Sequence, residues 1–225
     1  MNTIRTNLIE AERKAALLFK AIEKEGLLVS GKTESTLNKE IFELAFQMYG
    51  IKKYWHKRIV RAGKNTLKPY KENPEELTLQ KDDILFIDFG PIFEDWEADF
   101  GRTYVLGDDP KKHRLKEDIE TAWHECKAYF NSKESLSGAE YYFHAVATAK
   151  KYGWEFGGEI AGHIIGHFPH EKLEKEDKTN YIHPDNHQDL FAPDKNGNKR
   201  EWILEIHFVD KKLEIGGFFE QLLTE

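Results

Sequence analysis

Asp88, Asp99, His163, Glu205 and Glu220 follow one another along this 225-residue chain as four carboxylates and one imidazole. Together they form a hard, oxygen-rich donor set with a charge of about −4 before any cation is added. Such a set suits a pair of divalent ions better than one structural zinc, which prefers thiolates and closed four-coordination. The surroundings make the set informative. Each residue lies in an apolar or glycine-bounded stretch that reads as strand or tight turn, where surface charges rarely sit. A carboxylate inside an apolar strand costs several kcal/mol unless it is paired or binds a metal. Repeated exceptions to that rule in one chain ask for a common cause.

The elements that must position these residues can be read around each of them. Asp88 ends the run ILFIDFG, which has the character of a buried strand closed by Gly90. Asp99 opens a second strand-like run in ADFGRTYVLG, and PIFEDWE between the two reads as a hairpin-like return. His163 lies in GEIAGHIIGHFPHE, where glycines allow close backbone approach, and the two glutamates lie in the apolar runs EWILEIHFV and EIGGFFEQLL. Around this frame, helical periodicity predicts helices over about 3–27, 34–49, 110–132 and 136–152. The second has Thr33 near its start, and the fourth has an apolar face of Tyr142, Val146 and Ala149. Residues 54–107 read as strands interrupted by a polar loop from Lys64 to Lys81, and the polar segment 173–200 reads as an exposed loop.

Blander readings exist for each residue. Any one of the acids could be the solvent-facing residue of a half-buried strand, and His163 alone could be a loop histidine. Asp-Phe-Gly occurs at Asp88 and again at Asp99, but the chain has no glycine-rich phosphate loop and no His-Arg-Asp loop, which excludes a kinase. Asp194 to Glu205 looks faintly like a calcium loop, yet Lys199 stands where that loop needs glycine.

The order and spacing resemble the pita-bread-fold metallopeptidases, a superfamily that includes methionine aminopeptidase, aminopeptidase P, prolidase and creatinase. The matching stretches are FIDFGPIFEDWEADFGRTYVLG, GHIIGHFPHE, LEIHF and FFEQLL, and the opening helical segment also fits. The resemblance implies an α+β pita-bread fold with pseudo-two-fold symmetry, formed as a single catalytic domain over residues 1–225. By it, Asp88 would chelate one metal, Asp99 and Glu220 would bridge both, and His163 and Glu205 would bind the other. His170 matches the family histidine near the scissile carbonyl, and His56 is a looser match to a second pocket histidine. Glu205 could in addition shuttle a proton to the leaving amine. His167 reads as a loop residue beside the ligands. Trp55, Trp96 and Trp202 could wall the pocket, although core aromatics are the commoner explanation. The sequence departs from the pattern at Ile164, Gly101 and Ile206. Gly101 stands where the proline-peptidase branch often carries threonine, which removes a hydroxyl from beside the site.

The implied cofactors are two divalent ions, with Mn, Co or Fe favoured by the hard oxygen ligands and Zn compatible. The implied reaction is hydrolysis of short peptides at the N-terminal residue, of the Xaa-Pro aminopeptidase or dipeptidase kind. Methionine aminopeptidase-type processing is the alternative, since the extra N-terminal domain of prolidases is not seen here. A metal-free peptide-binding module of the same fold is the reading from another class. The net charge of −7 argues against nucleic acid or anionic membrane as partner. One cysteine, Cys126, excludes an intramolecular disulfide and fits a reducing, cytoplasmic setting. No signal peptide or membrane span is read from the first thirty residues. A homodimer stays open.

Overall fold

In the computed structural model, which describes residues 3–169 and 178–224, the chain opens with helix α1 (Thr3–Lys24). It buries Leu8, Ala11, Ala15, Leu18, Phe19 and Ile22, a stripe at three- and four-residue spacing. Helix α2 (Glu34–Tyr49) starts where the Thr33 side chain accepts from the amide of Thr36 at 3.2 Å. Helix α3 (Pro110–Asn131) is capped by Asp109 and has proline in its first turn, where a missing N–H costs nothing. Helix α4 (Gly138–Tyr152) carries a reciprocal capping box between Ser137 and Glu140. The four helices fall where periodicity places them. The buried stripe of α4 runs through Tyr141, Ala145, Thr148 and Ala149, one residue round from the expected Tyr142 and Val146.

The strands are β1 (Ile59–Ala62), β2 (Ile84–Phe89), β3 (Ile92–Phe93), β4 (Trp96–Glu97), β5 (Phe100–Val105), β6 (Glu155–Phe156), β7 (Gly162–Ile165), β8 (Glu201–Asp210) and β9 (Ile215–Leu222). The main sheet runs β1-β2-β5-β9-β8-β6, with β7 also on β8, and every pairing in it is antiparallel. The expected hairpin return is there: β3 and β4 pair around Glu94 and Asp95, both at positive φ.

Two helices followed by strands, twice over, divide the apolar interior into corresponding halves. Helices α1 and α2 pack with Leu85, Ile87 and Phe89 of β2 and Phe100 of β5. Helices α3 and α4 pack with Leu204, Ile206 and Phe208 of β8 and Phe219 of β9. Because side chains alternate along a strand, the residues between these face the other side of the sheet. Asp88, Gly101, Glu205 and Glu220 all fall in that second set. The polar segment expected as an exposed loop is, over its described part, anchored: Ile182, Asn186 and Leu190 are buried, and the Leu190 carbonyl accepts from Trp202 Nε1 at 2.9 Å. Its composition misleads because a few apolar residues suffice to tie down a polar loop. Among the described residues no helix is long and apolar enough to cross a membrane.

Candidate metal centre

Strand register assembles the acids. Asp88 of β2 lies opposite Gly101 of β5, Gly101 opposite Glu220 of β9, and Glu220 opposite Glu205 of β8. Four strands therefore contribute one row, on one face, and three of its members are carboxylates. Asp99 precedes β5 by one residue, and His163 of β7 lies opposite Ile203, two residues before Glu205 on the same face. Gly101 lets its neighbours close over the centre of the row: a Cβ there would meet the Phe218 ring at 2.6 Å and Glu220 Cβ at 3.0 Å. The threonine of relatives has no room here, because the Phe218 ring fills that place.

Asp99 is the centre of the cluster. Its Oδ2 lies 3.1 Å from His163 Nε2, and its Oδ1 lies 3.0 Å from His56 Nε2. Two groups of donor atoms each gather within 4.8 Å and share Asp99: His56, Asp88 and Asp99 in one, Asp99, His163 and Glu220 in the other. Glu205 lies just outside these groups, hydrogen-bonded to Glu220. His170 falls outside the described residues. Trp55 packs edge-on to both His56 and His163, and Tyr70 packs edge-on to His56, so these rings form a wall. Trp96 lies by the exposed His167 instead, and Trp202 is fully buried on the helix side of the sheet, away from the centre.

Burial dominates the electrostatics. It pushes the Asp88 and Glu205 carboxyls far above their ordinary range, and Glu220 as well, with Asp99 and Asp88 adding repulsion there. Burial alone would push the imidazoles down, but Asp99 and Asp88 outweigh it at His56 and lift it to about 9. Asp99 would itself be raised by burial, and the two histidines hold it low instead. Asp88 Oδ1 and Glu220 Oε2 are buried without a hydrogen-bond partner among the described residues. Buried acceptors with nothing to accept from are costly, and divalent cations would satisfy them. The donor set fits such ions.

Arg102 and Tyr70 are parts of this region that sequence reasoning passed over. The Arg102 guanidinium lies between the rings of Phe100 and Phe219, centroids 3.7 and 3.8 Å away, and donates to the carbonyls of Gly101 and Glu220 at 2.7 and 2.8 Å. A charge inside an apolar strand is the same anomaly that marks the acids, so Arg102 could have been found. Tyr70, within a polar loop, carries no such signal.

A sheet flanked by two helix pairs, with acids from three strands on one face, defines the pita-bread metallopeptidase class. The protein-family model for Metallopeptidase family M24 matches residues 6–195, and the chain belongs to that family. Solved structures agree on the fold. A prolidase from Thermococcus sibiricus superposes with a TM-score of 0.71 at 22% identity, covering 98% of this chain and 59% of its own. A dipeptidase from Pyrococcus horikoshii OT3 gives 0.74 at 25%, covering 97% and 59%. An X-Pro aminopeptidase from Thermotoga maritima MSB8 gives 0.76 at 17%, covering 97% and 60%. The chain thus spans about three-fifths of the length of these structures. No curated protein sequence matches it.

Proposed function

We propose that the chain carries a dinuclear-metal exopeptidase site that acts at the N-terminal residue of short peptides, with Xaa-Pro bonds as the preferred target. The single observation behind this reading is the convergence on Asp99 of buried carboxylates and imidazoles, two of whose oxygens have no hydrogen-bond partner among the described residues. Family membership supports peptide hydrolysis, and the names of the prolidase and X-Pro aminopeptidase structures support the proline preference. Asp88, Asp99, His163, Glu205 and Glu220 would hold the ions, with Mn, Co or Fe favoured and Zn compatible. When bound, such a pair lowers the pKa of water toward neutrality and polarises a carbonyl.

The chain's own residues supply the rest. Glu205, beside Glu220, can shuttle a proton to the leaving amine. Trp55 and Tyr70 narrow access to the centre and exclude bulk water from the reacting groups. His170, by its place in the sequence pattern, would donate to the carbonyl oxygen as negative charge develops there.

The test is metal content after reconstitution with Mn or Co and desalting, followed by hydrolysis of Xaa-Pro and Met-Xaa peptides. About two ions per chain and cleavage of Xaa-Pro substrates are expected. Cleavage of Met-Xaa alone would move the assignment to initiator-methionine processing. No retained metal would move it to a metal-free binding module.

A further inference from the structure

His56 and His163 occupy matching positions on either side of Asp99. His163 Nε2 lies 3.1 Å from Asp99 Oδ2 and 4.0 Å from Glu220 Oε1. His56 Nε2 lies 3.0 Å from Asp99 Oδ1 and 3.6 Å from Asp88 Oδ1. In each ring the other nitrogen faces the carbonyl one residue along: Lys57 O at 2.7 Å from His56 Nδ1, and Ile164 O at 2.8 Å from His163 Nδ1. A carbonyl only accepts, so Nδ1 carries a proton in both rings, and Nε2 is the nitrogen that presents a lone pair once a cation displaces its own proton. At His56 that nitrogen faces the carboxylate oxygens of Asp99 and Asp88, and Asp88 Oδ1 has no hydrogen-bond partner among the described residues. Acceptors from three side chains converge on one point, as they do at His163, and the backbone contact that orients the ring is the kind that orients metal-bound histidines.

The position is also built. The His56 side chain is 8% exposed. A Cβ at Gly90 would stand 2.2 Å from His56 Cδ2 and 2.4 Å from both His56 Nε2 and Trp55 Nε1, so the missing side chain is the recess in which the ring sits. The Trp55 amide donates to the Gly90 carbonyl at 3.0 Å, and its indole Nε1 donates to the Ala98 carbonyl at 3.0 Å. These bonds tie the segment carrying His56 to the strands carrying Asp88 and Asp99.

We propose that His56 is itself a metal ligand, binding through Nε2 the cation that Asp88 and Asp99 hold, so that the centre has an imidazole at each end. The proposal rests on the dinuclear reading above. It replaces a pocket-lining role for His56, because a nitrogen bound to metal is not free to donate to substrate. It also shifts the Asp88 end toward Co, Fe or Zn, since imidazole suits these better than it suits Mg or Ca.

The deciding experiment uses protein labelled with 15N-histidine and loaded with 113Cd, read by one-bond 113Cd–15N coupling. Coupling is expected on the Nε2 atoms of both His163 and His56. His56→Gln should lose the second coupling and weaken binding of one ion at least about tenfold, read by titration calorimetry. Gly90→Ala keeps every donor and displaces the ring, so it should lose the same coupling. Two bound ions with coupling at His163 alone would overturn the role of His56 and leave the centre standing. Failure of the wild-type chain to retain any ion would overturn both. The wild-type spectrum decides by itself should either variant fail to fold.

Discussion

Asp99 receives an imidazole on each carboxylate oxygen, and Glu220 reaches the same cluster from the neighbouring strand. A residue shared by two groups of donors cannot be removed without affecting both. Asp99→Ala should therefore lower metal content from about two ions per chain to one or none, with activity lost in parallel, and Glu220→Ala should do the same by the bridging role that the family pattern implies for it. Full metal content in either variant, measured by elemental analysis after desalting, would contradict the bridging assignment. His170 is expected to behave differently. His170→Ala should keep both ions while turnover falls about 10²–10³-fold, the cost of one oxyanion donor. A variant that lost metal would make His170 a ligand, and one with normal turnover would make it a bystander.

At the scale of elements, the junction between β5 and β9 carries the centre on a narrow footing. Only Gly101 and Glu220 are in register there, and Arg102 adds side-chain bonds across it to the Glu220 carbonyl and the Gln221 side chain. Arg102→Met keeps the packing between Phe100 and Phe219 but leaves these acceptors without their donor. A loss of about 2–4 kcal/mol in denaturant unfolding is expected, with weaker metal binding because Glu220 is no longer held. Gly101→Thr should not restore the hydroxyl that relatives place here. It should cost about 1–3 kcal/mol by overpacking against Phe218. Unchanged stability in that variant would show that the row has slack the packing does not suggest.

For the whole molecule, the metal-free chain should depend on pH in a way the loaded chain does not. Burial pushes Asp88 from 3.8 to about 7 and Glu205 from 4.5 to about 8. Below the unfolded values these groups are protonated in both states and cost nothing. As pH rises toward 8 the unfolded chain releases protons that the folded chain retains, so stability is lost across that window. His207 acts in the opposite sense. Burial holds its imidazole at about 4 against an ordinary 6.5, so its contribution is present above 6.5 and lost as pH falls toward 4. That contribution is worth about 3 kcal/mol. Between 4 and 6.5 the loss from two carboxylates outweighs the gain from one imidazole, so the metal-free chain should lose stability as pH rises, along an alkaline limb that reaches to about 8. Added Mn or Co should remove the alkaline limb, so that the rise in Tm on adding metal grows from pH 5 to 8. A rise that is flat or shrinks over that range, by differential scanning calorimetry with and without chelator, would count against carboxylates as the metal donors.

The helices and the acids were legible in the sequence for physical reasons that act locally. Amphipathic spacing, with Thr33 marking the start of the second, set the four helices, and a carboxylate in an apolar run is visible wherever it occurs. The family pattern ordered those acids into one set. Register is a long-range property, so the placing of Asp88, Gly101, Glu220 and Glu205 in a single row came only with the sheet. The same holds for Arg102 between two rings from different strands, and for the buried anchors Ile182 and Leu190 in a segment whose composition reads as surface. His56 shows the division most clearly. Its segment KYWHKRIV carries little local signal, whereas the recess at Gly90 and the two carboxylates that meet its ring are contributed by residues more than thirty positions away. Sequence determined which side chains had to be buried together, and packing decided which atoms they present to one another.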